Sequence, residues 1–208
     1  MKTKVLLIGA ALGLAVATAS ADAVYSSNVV GYVNVDITAG WNLIANPLDS
    51  GNNVLSNVIP DAPYNTSVYK MVNGEYKITI FDEDEEAWYP EDFTLNPGEG
   101  VFINAPEAFT ITFVGEVKAG FHSVPLPAGW SIVSSPTPVA GDLNEIGLTS
   151  AVDFNDAVYQ FTPNGYNISI YDEDEEDWYG AVENIAVGEA FFVKKANASV
   201  WTRGFEIK

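Results

Sequence analysis

Residues 80–89 read Ile80-Phe81-Asp82-Glu83-Asp84-Glu85-Glu86-Ala87-Trp88-Tyr89, and residues 170–179 repeat this stretch as Ile170-Tyr171-Asp172-Glu173-Asp174-Glu175-Glu176-Asp177-Trp178-Tyr179. The same offset, 90 residues from Phe81 to Tyr171, relates Gly98-Glu99 to Gly188-Glu189. A repeat of this length is a whole small domain rather than one rung of a solenoid. The chain is therefore a tandem duplication. An asymmetric catalytic site is expected once, whereas a scaffold or a bivalent binding surface can be copied.

Each copy reads as a series of short strands separated by turns. Val33, Val35 and Ile37 alternate with polar residues, which is the period of a strand with one buried face. Only residues 52–59 and 142–148 have a helical pattern, and only for a turn or two. The sequence predicts an all-β fold of two tandem duplicated modules, each a small sandwich or barrel, over residues 22–117 and 118–208.

Two Asn-Gly pairs predict tight hairpins, because Asn and Gly readily adopt the positive φ angles of such turns: Asn73-Gly74 and Asn164-Gly165. Beyond these turns the alternating apolar side chains are predicted to face inward, namely Tyr76, Ile78, Ile80, Tyr166, Ile168 and Ile170. Trp41 and Trp130 are also expected to be buried.

One strand pattern occurs three times, which is once more than two modules require. The segments are Val30-Gly31-Tyr32-Val33, Val114-Gly115-Glu116-Val117 and Arg203-Gly204-Phe205. The modules are therefore expected either to share strands or to leave one sheet edge open.

The N-terminal stretch, residues 1–21, is predicted to be a secretory signal peptide. Lys2 and Lys4 precede an apolar run too short to span a bilayer, and Ala19-Ser20-Ala21 offers a cleavage site, with Ala21-Asp22-Ala23 as an alternative. The mature chain is then secreted, to the extracellular space, the cell surface or the periplasm, without a membrane span.

The charge limits the partners that the chain can bind, and the absence of cysteine limits what can stabilise it. Removing residues 1–21 takes away two lysines and no acids, so the net charge changes from −19 to −21. Such a charge opposes binding to nucleic acid, which carries the same sign. With no cysteine in the chain, stability must come from the core or from bound ions.

The order Gly-Trp-Asn-Leu-Ile (40–44), Val-Tyr-Lys (68–70), Trp-Tyr (88–89) and Pro-Gly-Glu-Gly-Val-Phe (97–102) resembles a repeat of secreted and cell-surface proteins from environmental bacteria. That repeat runs approximately G-W-x-L-I, V-Y-x-[WFY] and P-G-x-G-[FY]-[FW]. The resemblance covers nearly the whole mature chain, in two copies. It implies a β-rich extracellular module, mostly uncharacterised and often part of larger surface proteins, and it implies no catalytic residues.

The long acidic turns are where this chain departs from that repeat. In an extended segment, one side would present Asp82, Asp84 and Glu86, and the second copy would present Asp172, Asp174 and Glu176. Such clustered carboxylates repel one another, and Ca²⁺ with oxygen ligands would relieve the repulsion. A solvated hairpin tip is the alternative. Stabilisation by Ca²⁺ beyond that given by NaCl at the same ionic strength would distinguish the two.

The Trp-Tyr pairs that follow the acids are candidate sugar platforms: Trp88-Tyr89 and Trp178-Tyr179. Aromatic rings stack on apolar sugar faces, and nearby carboxylates accept hydroxyl protons. Because neighbouring residues in a strand point to opposite faces, the alternative places one ring of each pair in the core.

Catalysis has little support in this sequence. His122 is the only histidine, no cysteine is available as a nucleophile, and no Gly-x-Ser-x-Gly elbow occurs. The expected function is a non-enzymatic structural or adhesive protein of the cell envelope or extracellular matrix, self-associating and tuned by Ca²⁺. Its expected partners are itself, other surface proteins or polysaccharide. Lys194, Lys195 and Arg203 form a basic cluster that could contact the acidic turn of another copy. A carbohydrate-binding module is the alternative, and a secreted hydrolase is a weaker one.

Overall fold

A computed structural model describes residues 29–172 and 174–207. The predicted signal peptide, residues 1–21, lies outside these ranges. None of the helices in the described ranges has the length and apolar character needed to cross a membrane. The predicted all-β fold class is confirmed, with two duplicated sets of strands.

The strands of the two modules follow the same order, and a short helix of a different type lies between the second and third strands of each. Module 1 consists of β1 (Val29–Ile37), β2 (Gly40–Ile44), α1 (Leu55–Val58), β3 (Ser67–Val72), β4 (Glu75–Asp82), β5 (Ala87–Tyr89), β6 (Val101–Ala105) and β7 (Phe109–Val117). Module 2 consists of β8 (Gly120–Leu126), β9 (Gly129–Ser134), a 3₁₀ helix (Leu148–Ala151), β10 (Ala157–Thr162), β11 (Gly165–Asp172), β12 (Asp177–Gly180), β13 (Ala190–Lys195) and β14 (Ser199–Phe205).

The sheet topology is also duplicated. The first and last strands of each module pair with each other, β1 with β7 and β8 with β14. The other strands form five-stranded antiparallel sheets in the orders β2-β6-β3-β4-β5 and β9-β13-β10-β11-β12, so adding seven to each strand number converts one sheet into the other. The three Val-Gly-like segments lie in β1, β7 and β14, and each pairs within its own module.

Each module has its own core between its two sheets. In β1, Val35 and Ile37 face this core while Asn34 and Asp36 point outward, as the alternation predicts. The module 1 core also contains Trp88, and the largest fully buried side chain of module 2 is Trp201.

The two hairpins lie at equivalent places but use different turns. In module 1, Asn73 and Gly74 both have positive φ, 53° and 82°, between the paired residues Val72 and Glu75. In module 2, Thr162 pairs with Gly165, so the loop is Pro163-Asn164. Proline holds φ negative, and the positive φ moves to Gly165, at 121°. The prediction for Asn164-Gly165 is therefore wrong by one residue.

The predicted facing of the hairpin strands is also wrong. Tyr76, Ile78 and Ile80 are exposed, and the side chains of β4 that point to the core are those of Thr79 and Phe81. The same reversal exposes Tyr166, Ile168 and Ile170. The two-residue turn explains this outcome, because it sets the register between β3 and β4. In that register Thr79 lies opposite the buried Val68, so Thr79 and the alternate residues on its side of β4 share the buried face.

A third cluster of apolar side chains joins the modules. Leu43 and Phe102 of module 1 pack with Ile132 and Phe192 of module 2, and the rings of Phe102 and Phe192 have centroids 5.6 Å apart. These four residues occupy equivalent positions in the two sheets. The modules thus meet through the same face of the same sheet.

The backbone contacts between the modules are reciprocal. The Ala45 N–H donates to the Gly188 carbonyl oxygen at 2.9 Å, and the Ser134 N–H donates to the Gly98 carbonyl oxygen at 3.0 Å. Ala45 corresponds to Ser134, and Gly188 corresponds to Gly98. The second hydrogen bond is therefore the first one repeated with the two modules exchanged. This is the pattern of an isologous interface, with an approximate two-fold axis between the modules.

Gly100 lies where the modules approach most closely. A Cβ atom at this position would lie 2.5 Å from Ala190 Cβ and 2.6 Å from Ile132 Cγ2. Ala190 is the module 2 counterpart of Gly100, so the axis runs between a glycine and an alanine. Only a residue without a side chain fits opposite Ala190.

Candidate interaction surface

The acidic segment of module 1 is a compact turn rather than an extended segment. Asp82 Oδ1 accepts hydrogen bonds from the backbone N–H groups of Asp84, at 2.9 Å, and Glu85, at 3.1 Å. Glu86 has φ +50°, and β5 begins at the next residue. The expectation that Asp82, Asp84 and Glu86 share one side of an extended segment is wrong, because Asp82 bends the chain by bonding its own backbone.

The second acidic turn repeats this geometry. Asp172 Oδ1 accepts from the N–H groups of Asp174 and Glu175, at 2.9 and 3.3 Å, and Glu176 has φ +52°. Over residues 29–172 and 174–207, no three or more Asp, Glu or His side chains converge as a set that could hold a metal ion. The cation site predicted at these two turns stays a prediction based on charge.

The Trp-Tyr pairs divide between the two faces of each sheet. Trp88 is buried and its indole N–H donates to the Ile59 carbonyl oxygen at 3.2 Å. Trp178 packs against the module 2 core and donates to Thr149 Oγ1 at 2.9 Å. Tyr89 and Tyr179 are exposed. Neither pair therefore forms a joint ring platform, and only the tyrosines are available to a ligand.

The exposed tyrosines belong to an apolar surface that the sequence interpretation missed. In module 1, Ile80 lies opposite Tyr89 across β4 and β5, and Ile78 lies opposite Tyr69 across β4 and β3. Ile78, Ile80 and Tyr89 have 46%, 41% and 58% of their surface exposed. We call these three residues outer strip 1.

Module 2 carries the same surface. Outer strip 2 consists of Ile168, Ile170 and Tyr179, with Ile170 opposite Tyr179 and all three exposed. The shared signal in the sequence is the pattern Tyr-x-Ile-x-Ile after each hairpin turn. An apolar row in a strand is ordinarily the buried one, so this pattern predicts core residues rather than an exposed strip.

Each strip continues into the surface that joins the modules. From Ile78 the row passes to Tyr69, which packs against the inter-module cluster. Tyr76 lies beside this row. Partial burial is the main cause that raises the pKa of the Tyr76 hydroxyl, and the electrostatic effect of Tyr166 in the other module is the second. One sheet face thus serves both the internal contact and the exposed strip.

Two clefts flank the inter-module contact at equivalent places. One, of about 680 Å³, is lined by Trp41 and Pro163, and the other, of about 590 Å³, by Trp130 and Asn73. The expectation that Trp41 and Trp130 are buried is wrong, since 47% and 42% of their surface is exposed. Each indole packs instead on a tyrosine ring, Trp41 on Tyr69 with centroids 4.9 Å apart.

The carboxylates at the edges of these clefts have different partners. Glu99 Oε1 forms an ion pair with Lys70 Nζ at 3.0 Å. Its counterpart Glu189 accepts a hydrogen bond from the neutral Gln160 at 2.8 Å, and burial raises the pKa of the Glu189 carboxyl. The two clefts are therefore equivalent in shape but not in charge.

The predicted basic cluster is not a cluster. Lys194 and Lys195 are neighbours in β13 and point to opposite faces, so the Lys194 ammonium lies over the Trp130 ring at 5.6 Å while Lys195 is buried with Asp156. Arg203 is partly buried on β14. His122 lies on β8 with Nε2 2.8 Å from the Lys118 carbonyl oxygen. Because Lys195 is buried and Lys194 points to the other face of the sheet, Lys194, Lys195 and Arg203 do not form a common surface for an acidic turn.

Comparison with protein-family models, with curated proteins and with solved structures finds no match for this chain.

Proposed function

We propose that this chain is a secreted, non-enzymatic structural or adhesive protein of the cell surface or extracellular matrix, which associates with other copies of itself through outer strips 1 and 2. The observation that carries the proposal is the exposure of Ile78, Ile80 and Tyr89, repeated at Ile168, Ile170 and Tyr179. Contiguous exposed apolar patches mark interaction sites in soluble proteins.

A second copy of the chain is the partner that the internal contact supports. The face that carries each strip already packs against its own duplicate within the chain, through Phe102 and Phe192. A strip that extends this face presents the same kind of surface to another molecule. The strips themselves carry no charged residue, so no charge within them has to be desolvated when they meet.

Two equivalent strips imply an open assembly. A molecule with one self-complementary patch forms a dimer and stops, whereas a molecule with two can bind a neighbour at each and extend. Duplication of the module therefore gives each molecule the two patches that an extending assembly requires.

The acidic turns would regulate this association. Each turn closes the hairpin whose strands carry a strip, β4–β5 and β11–β12, and the whole chain has a net charge of −19. Repulsion between copies falls as salt screens these charges. Ca²⁺ binding at the turns would add to this effect, so association in CaCl₂ should exceed that in NaCl at matched ionic strength if the turns hold the ion.

Charged substitutions in the strips should limit assembly. With Ile80→Lys and Ile170→Lys combined, the chain should remain monomeric, because a lysine in each strip must be desolvated on contact. Either single substitution should leave one strip and give species no larger than dimers. Light scattering of the mature protein over a range of concentrations, in NaCl and in CaCl₂, measures the size.

The matched control is Val114→Lys with Val200→Lys. These valines are 55% and 57% exposed but lie on β7 and β14, outside the strips. The control should assemble like the wild type. A wild-type chain that stays monomeric at all concentrations, or a control that is as defective as the strip variant, would contradict self-association through these strips.

Carbohydrate binding is the second candidate, and the exposed indoles in the two clefts favour it. Trp41 and Trp130 each present a ring beside polar groups in a cleft of the size that small ligands occupy. This candidate relocates the sugar platform from Trp88 and Trp178, which lie on the core side.

Polysaccharide retention should then depend on the cleft indoles. Replacing Trp41 and Trp130 by alanine should weaken retention in affinity electrophoresis roughly tenfold, equivalent to about 1.4 kcal/mol. Tyr89→Ala with Tyr179→Ala, in the outer strips, should leave retention unchanged. Equal loss in both pairs, or no retention of the wild type, would remove the cleft as a sugar site.

A further inference from the structure

Lys195 and Asp156 form a fully buried pair in module 2. Both side chains have 0% of their surface exposed, and Lys195 Nζ is in direct contact with Asp156 Oδ2. The two residues lie opposite each other at the ends of β13 and β10, next to the paired residues Lys194 and Ala157. A third carboxylate is close, since Asp153 Oδ2 lies 3.8 Å from Nζ.

We infer that Lys195 and Asp156 are the sites of a self-catalysed modification, in which their side chains condense to an amide and cross-link β13 to β10. Transfer of a proton from the ammonium to the carboxylate gives the neutral amine and the neutral acid that react with each other, and both side chains are fully buried. Contact between the two groups supplies the proximity that makes an unfavourable bimolecular step intramolecular.

The reaction balances without a further reagent. The Nζ lone pair attacks Asp156 Cγ and forms the C–N bond, and the bond from Cγ to Oδ2 breaks. Oδ2 leaves as water with two protons, one from the carboxylic acid and one from the attacking amine. Asp153, whose side chain is 60% exposed and whose Oδ2 lies 3.8 Å from Nζ, would have to move to hydrogen-bond distance to accept the amine proton and return it to the leaving oxygen, as a general base and then a general acid.

Backbone donors are already aimed at both carboxyl oxygens. The Ala196 N–H donates to Oδ1 at 2.9 Å, and the Asp153 N–H donates to Oδ2 at 2.7 Å. Negative charge develops on Oδ1 when Cγ becomes tetrahedral, and the Ala196 donor, fixed in advance, stabilises it. The Asp153 N–H holds Oδ2, the leaving oxygen, in place.

The product would keep its hydrogen bonds. Oδ1 becomes the amide oxygen and retains the Ala196 donor, while the new amide N–H keeps the Ala151 carbonyl oxygen that Nζ already contacts at 2.8 Å. The chain has no cysteine, so an amide is a covalent cross-link that its side chains can form without an oxidant.

Module 1 supplies an internal comparison. The same register places Thr66 opposite Ala105 there, since Ser67 pairs with Asn104. Module 1 therefore cannot form this bond, and the double variant Lys195→Ala with Asp156→Thr copies into module 2 a pair that the fold accepts.

Intact mass spectrometry of the full mature chain tests the inference. The wild type should be lighter by one molecule of water than its sequence requires, and fragmentation should join the peptides containing residues 156 and 195. Lys195→Arg, which keeps the charge but lacks the amine, and the folded double variant should both have the full mass. Asp153→Asn should slow the loss of water.

The inference is overturned by a wild type of full mass, which would identify the pair as ionic only. It is also overturned if the missing water persists in Lys195→Arg, or if fragmentation places it outside the two peptides.

Discussion

Replacing Lys195 by alanine should lower the free energy of unfolding by about 3–5 kcal/mol, the usual cost of removing one partner of a buried ion pair. The substitution leaves the Asp156 carboxylate at 0% exposure without its cation. It also removes the bond from Nζ to the Ala151 carbonyl oxygen. If the two side chains are joined by an amide, the alanine variant also loses that cross-link, so the loss should be at least as large. Urea unfolding followed by tryptophan fluorescence measures it.

A second substitution should restore part of the lost stability. The double variant Lys195→Ala with Asp156→Thr buries no charge at this position. It has the same two residue types as module 1, where Ala105 and Thr66 are both buried. The double variant should therefore be more stable than Lys195→Ala alone. Lys77→Ala is the control for loss of a cation, because its pair with Glu91 is exposed and exposed pairs contribute about 0–1 kcal/mol. A double variant less stable than Lys195→Ala would contradict the explanation by an unpaired charge.

Adding a methyl group at Gly100 should cost about 1–3 kcal/mol, the range for overpacking a close-packed contact. The new Cβ would lie 2.5 Å from Ala190 Cβ, which is fixed to the backbone and cannot rotate away. The modules must separate to accommodate it, and Phe102 and Phe192 should then become more accessible. Hydrogen exchange of β6 and β13, alongside urea unfolding, measures both effects.

Exchanging the two residues across the axis provides the sharper comparison. Gly100→Ala with Ala190→Gly keeps one methyl group at the contact, so it should be more stable than Gly100→Ala alone. The contact with Ile132 Cγ2 would persist and keep the recovery incomplete. Gly31→Ala is the matched control, because its nearest neighbour, Val117 Cγ2, would be 3.4 Å away. Equal losses for Gly31→Ala and Gly100→Ala would show that the close approach of the modules is not the cause.

The fold class could be predicted because it depends on local sequence patterns, and these patterns occur in both copies of the repeat. The alternation at Val33, Val35 and Ile37 marks a half-buried strand, and Asn73-Gly74 marks a hairpin. The face that each strand buries could not be predicted in the same way. In β4 both faces carry bulky residues, Ile78 and Ile80 on one and Phe81 on the other, and only pairing with β3 selects the buried one.

The candidate site was predicted less well than the fold, and for a related reason. For the adjacent Trp88 and Tyr89 the sequence allows either a joint platform or one ring in the core, and the strand sends the two side chains to opposite sides. Trp41 appeared to be a core residue because indoles usually are, but it lies at the edge of an interface between modules. Contacts between modules depend on how whole sheets pack, and a periodic pattern within one strand does not contain that information.

The unlike pair at the inter-module axis distinguishes this chain from a dimer of identical modules. On a true two-fold axis a residue meets its own copy, so a dimer of separate identical modules could present only glycine with glycine or alanine with alanine at this contact. Here Gly100 meets Ala190. Such a pair requires that the two halves be encoded separately. Because one polypeptide carries both halves as separate stretches of sequence, the contact can hold a methyl group on one side of the axis and none on the other.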